Sequence, residues 1–275
     1  MSRSGTATGS RVTSRLRTAT RLRVAELVRQ PLTLVSLVLL PPVVVELYGV
    51  ALASFPQLPT MTGDPATMGR TTGALFSVAF LAGLVGLFQA ISARDGDERV
   101  AIAGFPRWAL LATRLLTVGL IALAVSSVAF LVYSVQVSVA SPAVAFAVLV
   151  LAAILYGLIG VLVGTVVPRA LEGSLILVFL ADIDNALSSG LVPVESVDLP
   201  ILGSVAVTDF VPLYHPHELF TAAALDGTPA TDHVAPALAW IGVLLLATFL
   251  AYSRSTGDGW TGLASRALGL GRWSA

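Results

Sequence analysis

Along the chain, apolar runs of about 20 residues alternate with short polar segments, the length a helix needs to cross a bilayer core. Six runs stand out: Leu32 to Phe55, Thr72 to Ser92, Trp108 to Val139, Ala143 to Val167, Leu171 to Val192 and Val234 to Tyr252. The pattern predicts an all-α integral membrane fold of six spans. The third run is long enough to tilt or protrude. Ahead of the first, Leu16, Ala19, Leu22, Ala25 and Val28 recur at helical spacing with arginines between them. That reads as an amphipathic helix in the headgroup layer, its apolar stripe dipping inward and its arginines meeting anionic lipid. A secretory leader fits poorly, because its basic region would run to 30 residues, although Ala51-Leu52-Ala53 resembles a cleavage site. A nucleic-acid arm would need aromatic interleaving or a known module, and neither is present. The expected organisation is a cytoplasmic amino terminus with an interfacial helix (1–30), a six-span domain (31–252) and a cytoplasmic tail (253–275).

Composition sharpens this. The 275 residues are 56% hydrophobic and 12% charged, whereas soluble domains carry about 25% charged residues. No segment between runs is long enough for an independent soluble fold. The absence of cysteine excludes disulfides and thiolate metal sites. All 16 basic residues are arginine, which reads as genome or habitat bias. Their placement sets orientation. Seven lie within the first 30 residues, and Arg94, Arg99, Arg107, Arg169, Arg254, Arg266 and Arg272 fall in segments on that same side. Arg114 sits at the inner end of the third run, and Arg70 alone falls outside. By the positive-inside rule both termini are cytoplasmic, in a multi-pass protein of the cell membrane.

Polar residues inside the runs are candidates for function, because they are costly in hydrocarbon and face a bundle interior or a watery cavity. Glu46 lies past the midpoint of the first run, beyond Pro41-Pro42, with no basic residue three or four positions away. The two prolines remove two backbone donors and predict a kink or break. In the fifth run Asp182, Asn185 and Ser189 share one helical face, and Asp184 and Ser188 an adjoining one. Asp182 lies roughly 16 Å from the inner end, near mid-membrane. No cation in that run neutralises either acid, so each is protonated through desolvation or hydrated in a cavity. Glu46, Asp182, Asp184 and Asn185 are therefore candidates for a substrate path, with structural hydrogen bonding as the competing reading. Gly160-x-x-x-Gly164 in the fourth run reads as close helix packing.

Two connecting segments carry further signal. The inner loop from Ala93 to Trp108 has three acids and two arginines before a short apolar turn at Gly104-Phe105-Pro106. Such a loop presents Val100, Ile102 and Phe105 to a partner inside a charged rim, or is simply solvated. The outer segment Pro193 to His233 has six acids, no arginine and all three histidines, His215, His217 and His233. Its apolar stretches Ile201 to Val207 and Leu219 to Leu225 suggest short helices returning toward the membrane. His215-x-His217-Glu218 is not a helical zinc spacing, and no further ligand set is evident.

In order and topology the chain resembles the ABC-2 type permeases, the membrane subunits of ATP-driven exporters. Arg94 through Arg107, ending Gly104-Phe105-Pro106-Arg107-Trp108, is similar to the family's coupling loop. Pro193-Val194-Glu195 with Pro200 is similar to its Pro-x-acid turn after span five. Pro212-Leu213-Tyr214-His215-Pro216-His217-Glu218-Leu219 resembles the Pro-Leu-x-His-x-x-acid-Leu version of some members. Two departures stand out: Phe220-Thr221 replaces an arginine frequent after the acid, and the Asp182/Asp184 pair is unusually acidic.

The resemblance implies coupling to an ATPase subunit through Asp97, Glu98, Arg99, Phe105, Pro106 and Arg107, and an outer lid carrying Pro193, Glu195, Pro212, His215 and Glu218. It implies an ATP-binding cassette subunit and a second permease copy as partners, with ATP and Mg on the former and no cofactor on this chain. Membrane lipids are the remaining partner, and nucleic acid is not expected. The lack of a Gly-x-x-x-x-Gly-Lys-Ser/Thr phosphate loop agrees, since the chain has no lysine. The expected function is efflux of a hydrophobic or amphipathic substrate, such as a drug, lipid or lipid-linked saccharide. An ion-coupled secondary carrier using the intramembrane carboxylates is the alternative, weakened by the absence of an internal repeat. An intramembrane hydrolase would rest on Asp182 with Asp184, which point about 200° apart on a helix and cannot share a proton.

Overall fold

The computed structural model describes residues 31–54, 63–94, 96, 99, 107–190, 192, 196–199, 203–228 and 230–255. In chain order the long helices are α1 (Pro31–Ala53), α2 (Pro65–Ser92), α3 (Arg107–Gln136), α4 (Pro142–Val166) and α5 (Ala170–Ser188). The short α6 (Tyr214–Thr221) and the long α7 (Val234–Ser255) follow. Of these, α1, α2, α3, α4 and α7 are long and apolar enough to cross a membrane, so the chain is a multi-pass membrane protein. The expectation of six spans meets five such helices. α5 stands apart because its 19 residues carry Glu172, Asp182 and Asp184. It also stops at Ser188, short of Val192, where Gly190 takes a positive φ of 69° that only glycine adopts readily.

Local chemistry explains where other helices begin. α2 starts upstream of Thr72 because Asp64 caps it: the carboxylate accepts from the Thr67 backbone N–H at 2.9 Å and from its hydroxyl at 2.7 Å. Pro65 then occupies the first turn, where its missing N–H costs nothing. α1 is not broken at Pro41-Pro42 but runs through them as one helix. Prolines are tolerated inside spans where neighbouring groups re-satisfy the freed carbonyls.

The core is built around α2, which packs along α4 and α1. Small residues set the approach. A Cβ at Gly160 would overlap the Gly83 carbonyl oxygen of α2, and one at Gly69 would overlap the Tyr48 carbonyl oxygen of α1. The Gly160/Gly164 pattern is thus a helix contact, as its spacing predicts. α5 is more loosely held. It buries a narrow stripe, Gly173, Leu177, Ala181, Asp184, Asn185 and Ser188, while Leu171, Leu175, Phe179 and Ile183 stay exposed.

α5 is shorter than α4, 19 residues against 25, so at 1.5 Å per residue it falls about 9 Å short of α4's length. The segment after α5 forms a cap at that end. It opens with an antiparallel hairpin, β1 (Ser196–Leu199) and β2 (Gly203–Ala206), registered Ser196 to Ala206 and Leu199 to Gly203. The apolar stretch Ile201 to Val207 therefore contains a strand and not the expected helix. Alternation in Ser204-Val205-Ala206, matched by Ser196-Val197-Asp198-Leu199, is the period of a hairpin. Otherwise the described fold is helical. A 3-10 turn (Val207–Phe210) leads to α6, which packs among α2, α4, α5 and α7. One π-helical turn, Ala222–Asp226, completes the Leu219 to Leu225 stretch as helix. The Ala223 and Ala224 carbonyls accept from the Ser141 and Ala140 N–H groups, each at 2.9 Å, in the turn between α3 and α4.

Candidate functional site

The carboxylates of α5 divide by face. Asp184 is buried and fully engaged: Tyr156 of α4 donates its hydroxyl to one oxygen. The other oxygen accepts from Ser188 at 3.1 Å and from the Leu213 backbone N–H at 3.0 Å. One side chain thus fastens α5 to α4 and to the residue that opens α6. Asp182, a little over half a turn away, is exposed on the apolar face beside Ile183. Asn185 is buried and donates to the Tyr48 hydroxyl of α1 at 3.1 Å, while its own amide oxygen has no partner. Residues expected together on one path are therefore split: Asp184 ties the cap down, whereas Asp182 faces outward.

Glu46 acquires a partner that local spacing did not reveal. Arg70 of α2 reaches it at 3.5 Å, with the Glu46 side chain 43% exposed and that of Arg70 25%. A Cβ at Gly49 would meet the Arg70 chain at 2.8 Å, so the glycine makes room for the arginine's stem. The one arginine that the sequence sets apart from the others is thus the counter-ion of the first run's glutamate.

At the cap, Pro212 lies in the turn before α6, whose side chains meet the start of α7. The Asp209 carbonyl can only accept, so His215 donates to it from Nε2 at 3.1 Å. Neutral His215 then accepts at Nδ1 from His233 Nδ1–H, also at 3.1 Å. Burial holds His215 below the usual histidine value, and the Asp209 carbonyl offsets this in part. His217 is buried, with Nε2 3.4 Å from the Thr72 hydroxyl and no partner at Nδ1. Burial alone pushes its pKa down to about 4. Glu218 is raised by burial, with His233 acting against the rise. Among the described residues no group of three His, Asp or Glu is placed to hold a metal ion. Pro193 and Glu195 lie outside the described residues.

At the opposite end, where the arginines collect, Arg114 is buried. It donates to the Ala90 carbonyl at 3.3 Å and sits 5.6 Å from the Tyr252 ring centre, drawing α2, α3 and α7 together. Arg94 donates from one nitrogen, Nη2, to the carbonyls of Gly164, Thr165 and Val167 at 3.0, 3.0 and 3.3 Å. Of the residues assigned to coupling, Arg99 is exposed and Arg107 opens α3. Asp97, Glu98, Phe105 and Pro106 lie outside the described residues.

Sequence reasoning missed Tyr156, Arg70, Leu213 and Arg94 as partners. Tyr156 offered a signal, as the sole tyrosine of the fourth run, because a carboxylate inside a membrane domain requires donors. The Leu213 backbone amide offered none.

A family model described as ABC-2 family transporter protein matches residues 62–253. No curated protein sequence matches the chain. That family supplies the membrane component of ABC transporters, with ATPase activity in a separate ATP-binding subunit. Spanning helices, capped at one end and arginine-bordered at the other, coincide with that match, and the chain belongs to the ABC-2 transporter family.

Proposed function

We propose that this chain is the permease subunit of an ABC exporter, moving a hydrophobic or amphipathic substrate outward on ATP hydrolysed by a partner subunit. In this reading α5 is also a span, the fifth in chain order, and brings the number to six. Residues 31–252 form the transmembrane domain, 1–30 an interfacial helix and 253–275 a tail. Both termini lie in the cytoplasm, and two permease copies pair in the cell membrane. The loop after α2, with Asp97, Glu98, Arg99, Phe105, Pro106 and Arg107, receives the ATPase subunit. The segment from Pro193 to His233 is the outer lid.

The observation that supports this most is the Asp184 node. A buried carboxylate in α5 takes a backbone hydrogen bond from the lid at Leu213 and a side-chain bond from α4, so lid and spans move as linked bodies. The substrate path then follows the half-buried Glu46 and the exposed Asp182, near the Tyr48–Asn185 bond. Two carboxylates against one arginine favour a cationic or hydroxyl-rich amphiphile.

The test is affinity purification in mild detergent with identification of what accompanies the chain, followed by an ATPase assay. The expected result is a stoichiometric ATP-binding subunit, lost when Phe105 and Arg107 are both changed to alanine. A lone chain without ATPase activity, correctly inserted, would shift the reading to an ion-coupled carrier.

A further inference from the structure

The carbonyls of a helix's last turn lack intrahelical donors and carry the negative end of its dipole. α4 ends in this way, and its end is claimed by one side chain from another helix. Arg94 stands two residues beyond α2, and its Nη2 spans the Gly164, Thr165 and Val167 carbonyls. The three carbonyls converge on that one nitrogen and share its two hydrogens, which anchors the tip of the side chain at the end of α4. The Val167 carbonyl belongs to the peptide bond with Pro168, where the chain has only residues 167–169 in which to turn into α5. The next backbone bond, Gly173 N–H to the Arg169 carbonyl at 3.0 Å, already lies in α5.

α5 suits the role of a moving part. Its buried stripe is narrow, broadening only at Asp184 and Asn185, and its flanks are exposed. Gly173 bears on Leu87 and Leu177 on Gly83, so α5 rests against α2 on small contacts while its far end is tied through Asp184 to Leu213.

Building on the exporter reading above, we propose that Arg94 is the positioning residue through which the loop after α2 drives the lid. Displacement of that loop moves the α4–α5 turn through the guanidinium. α5 then shifts along its narrow stripe, and Asp184 carries the shift to Leu213 at the start of α6. The Arg94 and Asp184 nodes are the two ends of one route, running through α5 and not through α3, the helix that follows the loop in sequence.

Hydrogen–deuterium exchange on the full permease–ATPase complex in lipid nanodiscs, with and without ATP and vanadate, tests this. In the wild type, trapping is expected to change exchange both at the α4–α5 turn and in the lid peptide containing Leu213. Arg94→Gln should abolish both nucleotide-dependent differences while ATP hydrolysis by the partner continues, and Arg94→Lys should restore them in part. A purely structural role would alter exchange equally with and without nucleotide. Should Arg94→Gln loosen the resting turn, Asp184→Ala cuts the route at its far end. It must abolish the response of the lid but spare that of the turn. A lid response in either variant equal to the wild type overturns the route, as does a wild-type complex that hydrolyses ATP without any change at turn or lid. Failure to recover an ATP-binding subunit refutes instead the exporter reading on which the route rests.

Discussion

Replacing Asp184 by alanine is the perturbation whose cost the structure defines most closely. Three donors converge on this carboxylate: the Tyr156 hydroxyl, the Ser188 hydroxyl and the Leu213 backbone N–H. Ser188 can turn back to a carbonyl of its own helix, so its loss is small. The other two are held in place by different elements, and each buried donor left unpaired costs about 1–3 kcal/mol. Asp184→Ala is therefore expected to destabilise the bundle by about 2–5 kcal/mol. Tyr156→Phe removes one donor and leaves the carboxylate two, for about 1–2 kcal/mol. The double variant should cost less than the sum by about 1–2 kcal/mol, because the orphaned hydroxyl is gone. Reversible unfolding in mixed micelles measures the cycle, with exchange at the Leu213 amide as the local readout. Strict additivity, with that amide as protected in Asp184→Ala as in the wild type, would refute the node.

Further outcomes follow from other contacts. Gly160→Val places atoms where the Gly83 carbonyl oxygen lies; it should separate α2 from α4 and cost about 1–3 kcal/mol or more, read as lowered thermal stability of the purified protein. His217, neutral when docked, has a pKa near 4 against an ordinary 6.5. The undocked lid thus binds the proton more readily, and lid stability is complete above pH 6.5 and lost as pH falls toward 4. The loss approaches about 3 kcal/mol at the lower limit, and His217→Gln should flatten this profile in pH-dependent proteolysis of the lid. Asp182→Asn, on an exposed face, should leave unfolding within about 0.5 kcal/mol of the wild type. Glu46→Gln, which removes the counter-ion of Arg70, should stay within about 1 kcal/mol, and both should reduce transport of a cationic amphiphile. Unchanged transport in both would remove them from the path.

Most of the architecture was legible because the bilayer imposes it. Apolar length gives five of the six expected spans, and the spacing of Gly160 and Gly164 marks a helix contact. What escaped were distances between helices. Glu46 looked unpaired because Arg70 comes from another helix, and Asp184 looked exposed to chemistry because its donors arrive from Tyr156 and Leu213. Helical periodicity separated Asp182 from Asp184 onto different faces, but it did not say which face was buried. The hairpin at Ser196–Leu199 and Gly203–Ala206 was hidden because four-residue strands give too short an alternation to outweigh an apolar stretch.

The central claim is that this chain moves substrate on ATP spent by a partner. Its most direct test is transport of a fluorescent cationic amphiphile in proteoliposomes holding the permease and its ATP-binding subunit, with no ion gradient imposed. The account predicts movement that requires ATP, stops when the partner subunit is withheld and runs away from the partner's face. Movement driven by an ion gradient alone, in vesicles lacking the partner, would contradict it.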